Sequence, residues 1–418
     1  VVSSNASETG GTSVLQSGLL ATVDFVVVRR TQLLAFFGVV LLVSIAGINR
    51  MEADSNWLDD FSDEMPIKEI TITVDEVMGG VSNLIVLFDS GEEGGIKNPE
   101  VLQEIERIQT WSNQWQIVRK SYSIVDILKD LNQTFHAEDE AHYQLPESRA
   151  LAAQYLILYE SAGGAEADKY VSSDYRYAVL ELRTALAPTS ETQRLVDALN
   201  EELKARPLES STSWLTGIGA LWIQLLDYII SSQIQGFGLA FATIAVILCF
   251  LFGSLRTGLI AMVPNISPVF LTLGLMGWLG IPLDYNKVSI AAVALGIAVD
   301  DTIHLMSRVR YEFERLGNYH DALRESLHHV GRAVMITSVA LVLGFLVLTL
   351  SVLDSQAVRG VLLATTIVAA LIADFLLMPA LILTFKPFGP ETSESQASLD
   401  MADRYRSANS GLGTEERS

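Results

Sequence analysis

The sequence contains one cysteine, Cys249, so no intrachain disulfide can staple it, and its place inside an apolar run marks it as a small packing residue. Basic residues are also scarce. Against 49 Asp and Glu there are 28 Lys and Arg, a formal charge of −21 that argues against nucleic acid or another polyanion as partner. No phosphate loop of the G-x-x-x-x-G-K-[ST] kind occurs, and the pairs Gly79-Gly80 and Gly94-Gly95 read as turns, so ATP is not the expected energy source. Nucleophile, base and orienting residue do not group in sequence either, and neither an enzyme nor a bound cofactor is expected. The chain opens on Val1 with no signal peptide and is read as lacking its natural N-terminus.

What the sequence has in quantity is apolar surface. Half of its 418 residues are hydrophobic and 18% are charged, too apolar for an ordinary soluble chain, yet the negative charge is too large for one immersed wholly in lipid. The two characters separate along the sequence. A bilayer core about 30 Å thick takes roughly 20 apolar residues per helix. Six runs meet that need: Thr31 to Ile48, Ile234 to Leu255, Leu259 to Leu279, Val288 to Leu305, Ala333 to Leu353 and Val361 to Phe385. The expected organisation is a tail with a short apolar stretch over 1–30, a membrane helix over 31–48, a polar domain over 49–233, five membrane helices over 234–385 and a polar tail over 386–418. Both tails read as disordered. Val14 to Val28 either lies on the membrane surface or extends the first helix.

Arg29, Arg30, Arg256, Arg308, Arg310, Arg315, Arg324, Arg332 and Lys386 collect at one end of the runs, and the loops at the other end carry little positive charge. The positive-inside rule then places both termini in the cytoplasm and residues 49–233 outside it, across a cell membrane expected to be a bacterial inner membrane. That outer domain is acidic. Its β-rich runs (Ile70 to Val74, Ser82 to Phe88, Tyr177 to Leu182) alternate with helical ones (Pro99 to Asn113, Ser123 to Asn132, Pro146 to Ser161, Ser190 to Lys204), which predicts an α+β fold.

The most informative stretch is Gly296-Ile-Ala-Val-Asp300-Asp301-Thr302-Ile-His304, two carboxylates and an imidazole in an apolar helix. A carboxylate at the bilayer centre costs about 2.5–3.5 kcal/mol even on a lenient scale, so it usually faces protein or water and has a task. The bland alternative is a polar pair that locks helix packing. Asp300 shares a helical face with Gly296 and His304, while Asp301 lies about 100° round the helix. Gly296 and Ala292 leave room for a neighbouring helix, which predicts Asp300 buried in the bundle. The paired acids would titrate as a coupled unit, with His304 either relaying protons or only neutralising Asp300. Thr337 and Ser338 are candidate hydroxyl partners, although such hydroxyls often bond their own backbone. Asp374 is a further intramembrane carboxylate, followed by Pro379 as an expected kink. His136 and His142, near Glu138, Asp139 and Glu140, match no strong ligand spacing; they read as a solvated acidic loop, and no metal is expected.

One helix, a large outer domain, five helices and GIAVDDTIHLMSRVRYE on the fourth helix resemble one repeat of the RND superfamily, nearest its MMPL branch. Gly95-Ile-Lys-Asn-Pro99-Glu-Val-Leu, Leu145-Pro-Glu-Ser-Arg149, Thr337-Ser338-Val-Ala-Leu-Val-Leu-Gly344-Phe345 and Ala373-Asp374-Phe-Leu-Leu-Met-Pro379 agree with it. The resemblance implies that Asp300 and Asp301 match the family's proton-relay acids and that residues 49–233 resemble a porter domain of ferredoxin-like βαβ units. It also implies a proton-driven exporter of a hydrophobic or lipid-like substrate, working in the lipid bilayer with a second transporter half or as a homo-oligomer, and with a periplasmic partner. The chain looks most like a C-terminal repeat. Ser211 to Ser232, with Thr216, Gly217 and Asp227, would be the segment that couples the outer domain to the second membrane helix. Two rival readings are a sterol-sensing or receptor-like lipid binder and a proton-driven accessory of protein translocation.

Overall fold

The computed structural model describes residues 14–52, 54–205 and 211–391; residues 1–13 and 392–418, which hold much of the two expected tails, lie outside the described residues. The chain divides into two compact units, one comprising the chain up to Glu52 and from Ser232 onward, the other Ala53–Ser231.

The first unit opens with α1, Val14–Ile48, which breaks at Arg29 (φ −114°, ψ 18°). Ahead of the break, Leu19, Val23 and Val26 are buried against Tyr319, Leu323 and Leu327, so this stretch packs on protein as a segment distinct from the membrane helix.

The second unit holds α2 (Pro66–Met78), β1 (Ser82–Asp89), α3 (Pro99–Ser112), β2 (Val118–Tyr122), α4 (Ile124–Phe135), α5 (Arg149–Ser161), β3 (Tyr177–Thr184), α6 (Thr189–Ala205) and β4 (Thr212–Thr216). The four strands pair antiparallel in the order β2-β3-β1-β4. In β1 and β3 alternate residues are buried, and the register sets Leu84 opposite Leu182, Val86 opposite Leu180 and Phe88 opposite Ala178. That face packs on Ile105 and Ile108 of α3, Leu128 of α4 and Leu199 of α6, one continuous apolar core.

Ile70 to Val74, expected as a strand, lies inside the helix α2. The β-branched alternation is real, but Pro66 at the first turn and Gly79 in the left-handed conformation (φ 73°) mark a helix start and stop, and these outweigh local β preference. Two strands escaped the sequence reading for the opposite reason. β2 is Val-Arg-Lys-Ser-Tyr and β4 is Thr-Ser-Trp-Leu-Thr, edge strands too polar or too short to show a hydrophobic pattern.

α7, Ile218–Phe252, begins in the second unit and ends in the first, so the apolar run from Ile234 is the later part of a longer helix. Then follow α8 (Leu255–Leu279), α9 (Ile290–Leu316), α10 (Tyr319–Leu346), α11 (Asp354–Ile372), a π-helical turn over Ala373–Leu377 and α12 (Met378–Phe385). Among the described residues six helical stretches are long and apolar enough to cross a membrane: α1, α7, α8, α9, α10 and the run from α11 to α12. Leu42, Val246, Phe250, Leu343 and Val347 are exposed on them, as a lipid-facing surface requires. The chain is a multi-pass membrane protein.

Closest packing falls where α1 meets α8. A Cβ on Gly277 would sit 1.9 Å from the Gly47 carbonyl oxygen, and one on Gly274 2.5 Å from the Ser44 Cα. Cys249 backs onto Gly258 in the same manner, in keeping with a packing role. Residues 386–391, read from sequence as part of a disordered tail, instead fold back on α10. The Tyr319 hydroxyl donates to the Gly389 carbonyl at 3.0 Å, Phe388 stacks on Tyr319, and Lys386 pairs with Glu391 at 2.7 Å.

Candidate polar site in the helix bundle

α9 carries three consecutive polar residues, Asp300, Asp301 and Thr302, and the 100° step of the helix sends them three ways. Asp300 points outward with its side chain 77% exposed, and His304, one turn on and 67% exposed, lies 3.5 Å from it. Gly296 shares this open face. No atom of another helix lies within 4 Å of a Cβ built there, so among the described residues the expected close approach at Gly296 is absent and Asp300 is not buried, while Ala292 is half-buried. The physical reason is that small residues permit a close approach without causing one, and in this chain α1 and α8 make it instead.

Asp301 turns inward to α10, where the Ser338 hydroxyl donates to its Oδ2 at 3.3 Å. Thr337 is exposed and bonds its own helix, donating to the backbone carbonyls of Ala333 and Val334 at 3.1 and 2.9 Å, so it is not brought to the acids.

Thr302 faces the centre. Its hydroxyl is fully buried and lies 2.7 Å from Oδ1 of Asp374, itself only 2% exposed. The same hydroxyl lies 3.2 Å from Oδ1 of Asn265 on α8. Asn265 is also fully buried; its amide nitrogen donates to the Ala261 carbonyl at 2.7 Å, which fixes its oxygen toward Thr302. Thr302 thus has one proton and two acceptors. Asp374 occupies the π-turn Ala373–Leu377 just ahead of Pro379, so the backbone irregularity sits at the carboxylate rather than as a simple proline kink. No Lys, Arg or His forms an ion pair with Asp374 among the described residues.

Asn265 and Thr302 were not singled out in the sequence. The signal for Asn265 is an amide between Pro264 and Pro268 in an otherwise apolar run. Thr302 gives none by itself, since a membrane threonine usually bonds its own helix.

Just ahead of α9, Lys287 and Asp284 form a buried ion pair that, with Asp284 accepting from the Lys287 backbone N–H at 2.7 Å, fixes the entry to that helix. Glu312, fully buried, pairs with Arg308 and Arg315 at 2.5 and 2.8 Å near the far end of α9.

In the second unit, Thr216 closes β4 opposite Ile85 and Gly217 takes φ 96°, where a Cβ would meet the Ile85 backbone nitrogen at 3.0 Å. Asp227 on α7 lines, with Gln193 and Asp197 of α6 and Leu226, a cavity of about 800 Å3. His136 and His142 stack face to face at 4.1 Å, with Asp139 3.2 Å from His142. Backbone donation from Ala141 and the hydrogen bond of His142 hold the Asp139 carboxyl below the usual range.

The model of the MMPL family matches residues 97–406. A protein described as the membrane protein MJ1562 of Methanocaldococcus jannaschii is 24% identical over 360 residues, 82% of this chain and 88% of that protein. The membrane protein ActII-3 of Streptomyces coelicolor is 29% identical over 96 residues, 23% of this chain and 14% of that protein.

Proposed function

Since this chain belongs to the MMPL family, whose members are membrane transporters in general, we propose that it is a proton-driven transporter that exports a hydrophobic or lipid-like substrate. One observation carries the reading: a carboxylate buried in the bundle, Asp374, is bonded to a hydroxyl that has one proton for two acceptors. A proton arriving on Asp374 completes a chain in which Asp374 donates to Thr302 and Thr302 to Asn265; when it leaves, the Thr302 hydroxyl keeps its proton and turns to donate to the Asp374 carboxylate. Protonation therefore reverses a hydrogen bond between α9, α8 and the π-turn, a two-state element that a proton can bias. Asp301 with Ser338 forms the neighbouring acid site.

Asp300 and His304 lie on the open face of α9 and, in this reading, complete the relay only against a second repeat or a second copy of the chain. The second unit is the porter domain, outside the cytoplasm. Its strand order, with α3 crossing from β1 to β2 and α6 from β3 to β4, supports ferredoxin-like βαβ units interrupted by α4 and α5. Thr216 and Gly217, at the entry to α7, and Asp227 on that helix would pass movement between the domains. A proton crossing roughly 150–200 mV at about 2.3 kcal/mol per 100 mV supplies roughly 3.5–4.6 kcal/mol, enough for about a thousandfold gradient.

The test is transport in liposomes under an imposed proton gradient, with fluorescent lipids and hydrophobic dyes as cargo, at equal insertion of wild type, Asp374→Asn and Asp301→Asn. The expected result is loss of gradient-driven movement with cargo binding kept. Normal transport by both variants would refute the relay, and binding by wild type with no net movement under any gradient would leave a lipid receptor instead.

A further inference from the structure

Three of the six histidines fall within ten residues at the start of α10: His320, His328 and His329. The first is engaged with Asp24 and Asp321 at 3.3 and 3.1 Å, and Arg324 adds a cation to that group at 3.6 Å from Asp24. The other two have a different surrounding. Glu325, His328 and His329 lie on one turn, and their ligand atoms all lie within 4.8 Å of one another, the one such group of three among the described residues. Both imidazoles are exposed and Glu325 is half-buried, so solvent and ions reach the group.

The spacing is that of metal-binding helices. Glu325 meets His328 three residues on and His329 four residues on, the two spacings at which helical side chains face each other, and Glu-x-x-His is a spacing that places both ligands on a single ion; the two imidazoles are adjacent in sequence and flank the carboxylate. Orientation supports it. Nδ1 of His329 lies 2.9 Å from the Glu325 backbone carbonyl, which can only accept, and 3.5 Å from the Glu325 Oε1, so the ring proton is on Nδ1 and the lone pair that a metal would take is on Nε2. A second ring nitrogen anchored to a backbone carbonyl is the usual support of a ligating histidine. The His328 and His329 ring centroids are 5.3 Å apart. Two ligands on one ion at about 2.1 Å each lie about 3.4 Å apart in a tetrahedral site and no more than about 4.2 Å apart in any, so the set must close by up to about 1.4 Å, a movement that rotation of the exposed side chains supplies. Two imidazoles with one carboxylate select a borderline divalent transition ion over Mg2+ or Ca2+, which take oxygen ligands.

We infer that Glu325, His328 and His329 form a binding site for a zinc-class divalent ion on the surface of α10, with its remaining coordination positions open. The stacked pair His136 and His142 in the second unit is the natural internal control, because its nearby carboxylate, Asp139, contacts His142 and accepts from the Ala141 N–H, and these three residues do not converge as Glu325, His328 and His329 do.

The full chain, purified in detergent without a polyhistidine tag and stripped with chelator, would be titrated with ZnCl2 by calorimetry and its metal content counted after desalting. Wild type is expected to hold one zinc per chain. His328→Ala/His329→Ala should lose affinity by more than the roughly 10–100-fold that outer-shell changes produce. Glu325→Gln should lose affinity as well, and His136→Ala/His142→Ala should match wild type. Cu2+ added in place of zinc should give an electron paramagnetic resonance spectrum with splitting from two imidazole nitrogens, lost in the first double variant. Size-exclusion profiles and melting curves would confirm that each variant is folded. Wild-type affinity in the folded His328→Ala/His329→Ala protein, loss that follows His136 and His142 instead, or no zinc retained by wild type would each overturn the assignment.

Discussion

The hydroxyl of Thr302 lies 2.7 Å from Oδ1 of Asp374, a contact between residues 72 positions apart that joins α9 to the π-turn deep in the bundle. Thr302→Val keeps the shape and removes the hydroxyl, leaving the Asp374 carboxyl and the Asn265 oxygen without it. The expected cost is about 1–3 kcal/mol of stability, read as a lower melting temperature in detergent. Thr302→Ser should restore most of it. Equal melting of wild type and the valine variant would mean that the hydroxyl bonds contribute nothing.

Gly277 and Gly296 make opposite predictions. Gly277→Ala drives a methyl group into the Gly47 backbone and should destabilise the α1–α8 contact by about 1–3 kcal/mol. Gly296→Ala meets nothing in this chain and, as a better helix former, should be neutral or gain up to about 1 kcal/mol. Thermal melting of the two side by side checks the pair. If the alanine at 296 proves as damaging as that at 277, a partner covers that face.

That face can be probed directly. In a Cys249→Ser background, Gly296→Cys should crosslink between copies with a short bis-maleimide in membranes if the α9 face meets a second copy, giving a band of twice the mass on a denaturing gel. Labelling of the cysteine by maleimide without any crosslink would argue that the second half is a different chain.

In the second unit, the Arg176 guanidinium grips Asp89 through two bonds of 2.8 and 3.0 Å, and with the Gly91 N–H it holds the Asp89 carboxyl below the ordinary carboxylate range. A depressed folded value means that the stabilisation is complete above the unfolded pKa of about 3.9 and disappears as pH falls through the folded value. Asp89→Asn should therefore lower the protection of β1 and β3 amides against hydrogen exchange at neutral pH. It should also reduce their loss of protection on going below about pH 4. An unchanged acid profile would show that the pair does not govern this end of the two inner strands.

The six membrane helices were legible because a bilayer demands long uncharged runs, and those runs are in the sequence for any reader. Ser82 to Phe88 and Tyr177 to Leu182 were legible too, since a sheet buried on one face leaves a period of two. Ile70 to Val74 misled because residue preference was weighed without Pro66 and Gly79 on either side. The inner site was legible only by halves. Sequence picked Asp301, Ser338 and Asp374 from the rarity of polar groups in apolar helices, but the direction in which Asp300 points depends on which neighbours cover α9, and that is a property of the bundle. Asn265 joins Thr302 from 37 positions away, a pairing that no local period encodes.

The π-turn at Ala373–Leu377 holds one residue more than the α-helical turn it replaces. Deleting a single residue there would let the helix close into regular form, with the faces before and after the turn kept in register. Only the residues within the turn, Asp374 among them, would be redirected, while every side chain of the site remained in the sequence. The site thus depends on a reading frame of the helix as much as on the identity of its residues, and the natural variation to look for in this segment is a change of length.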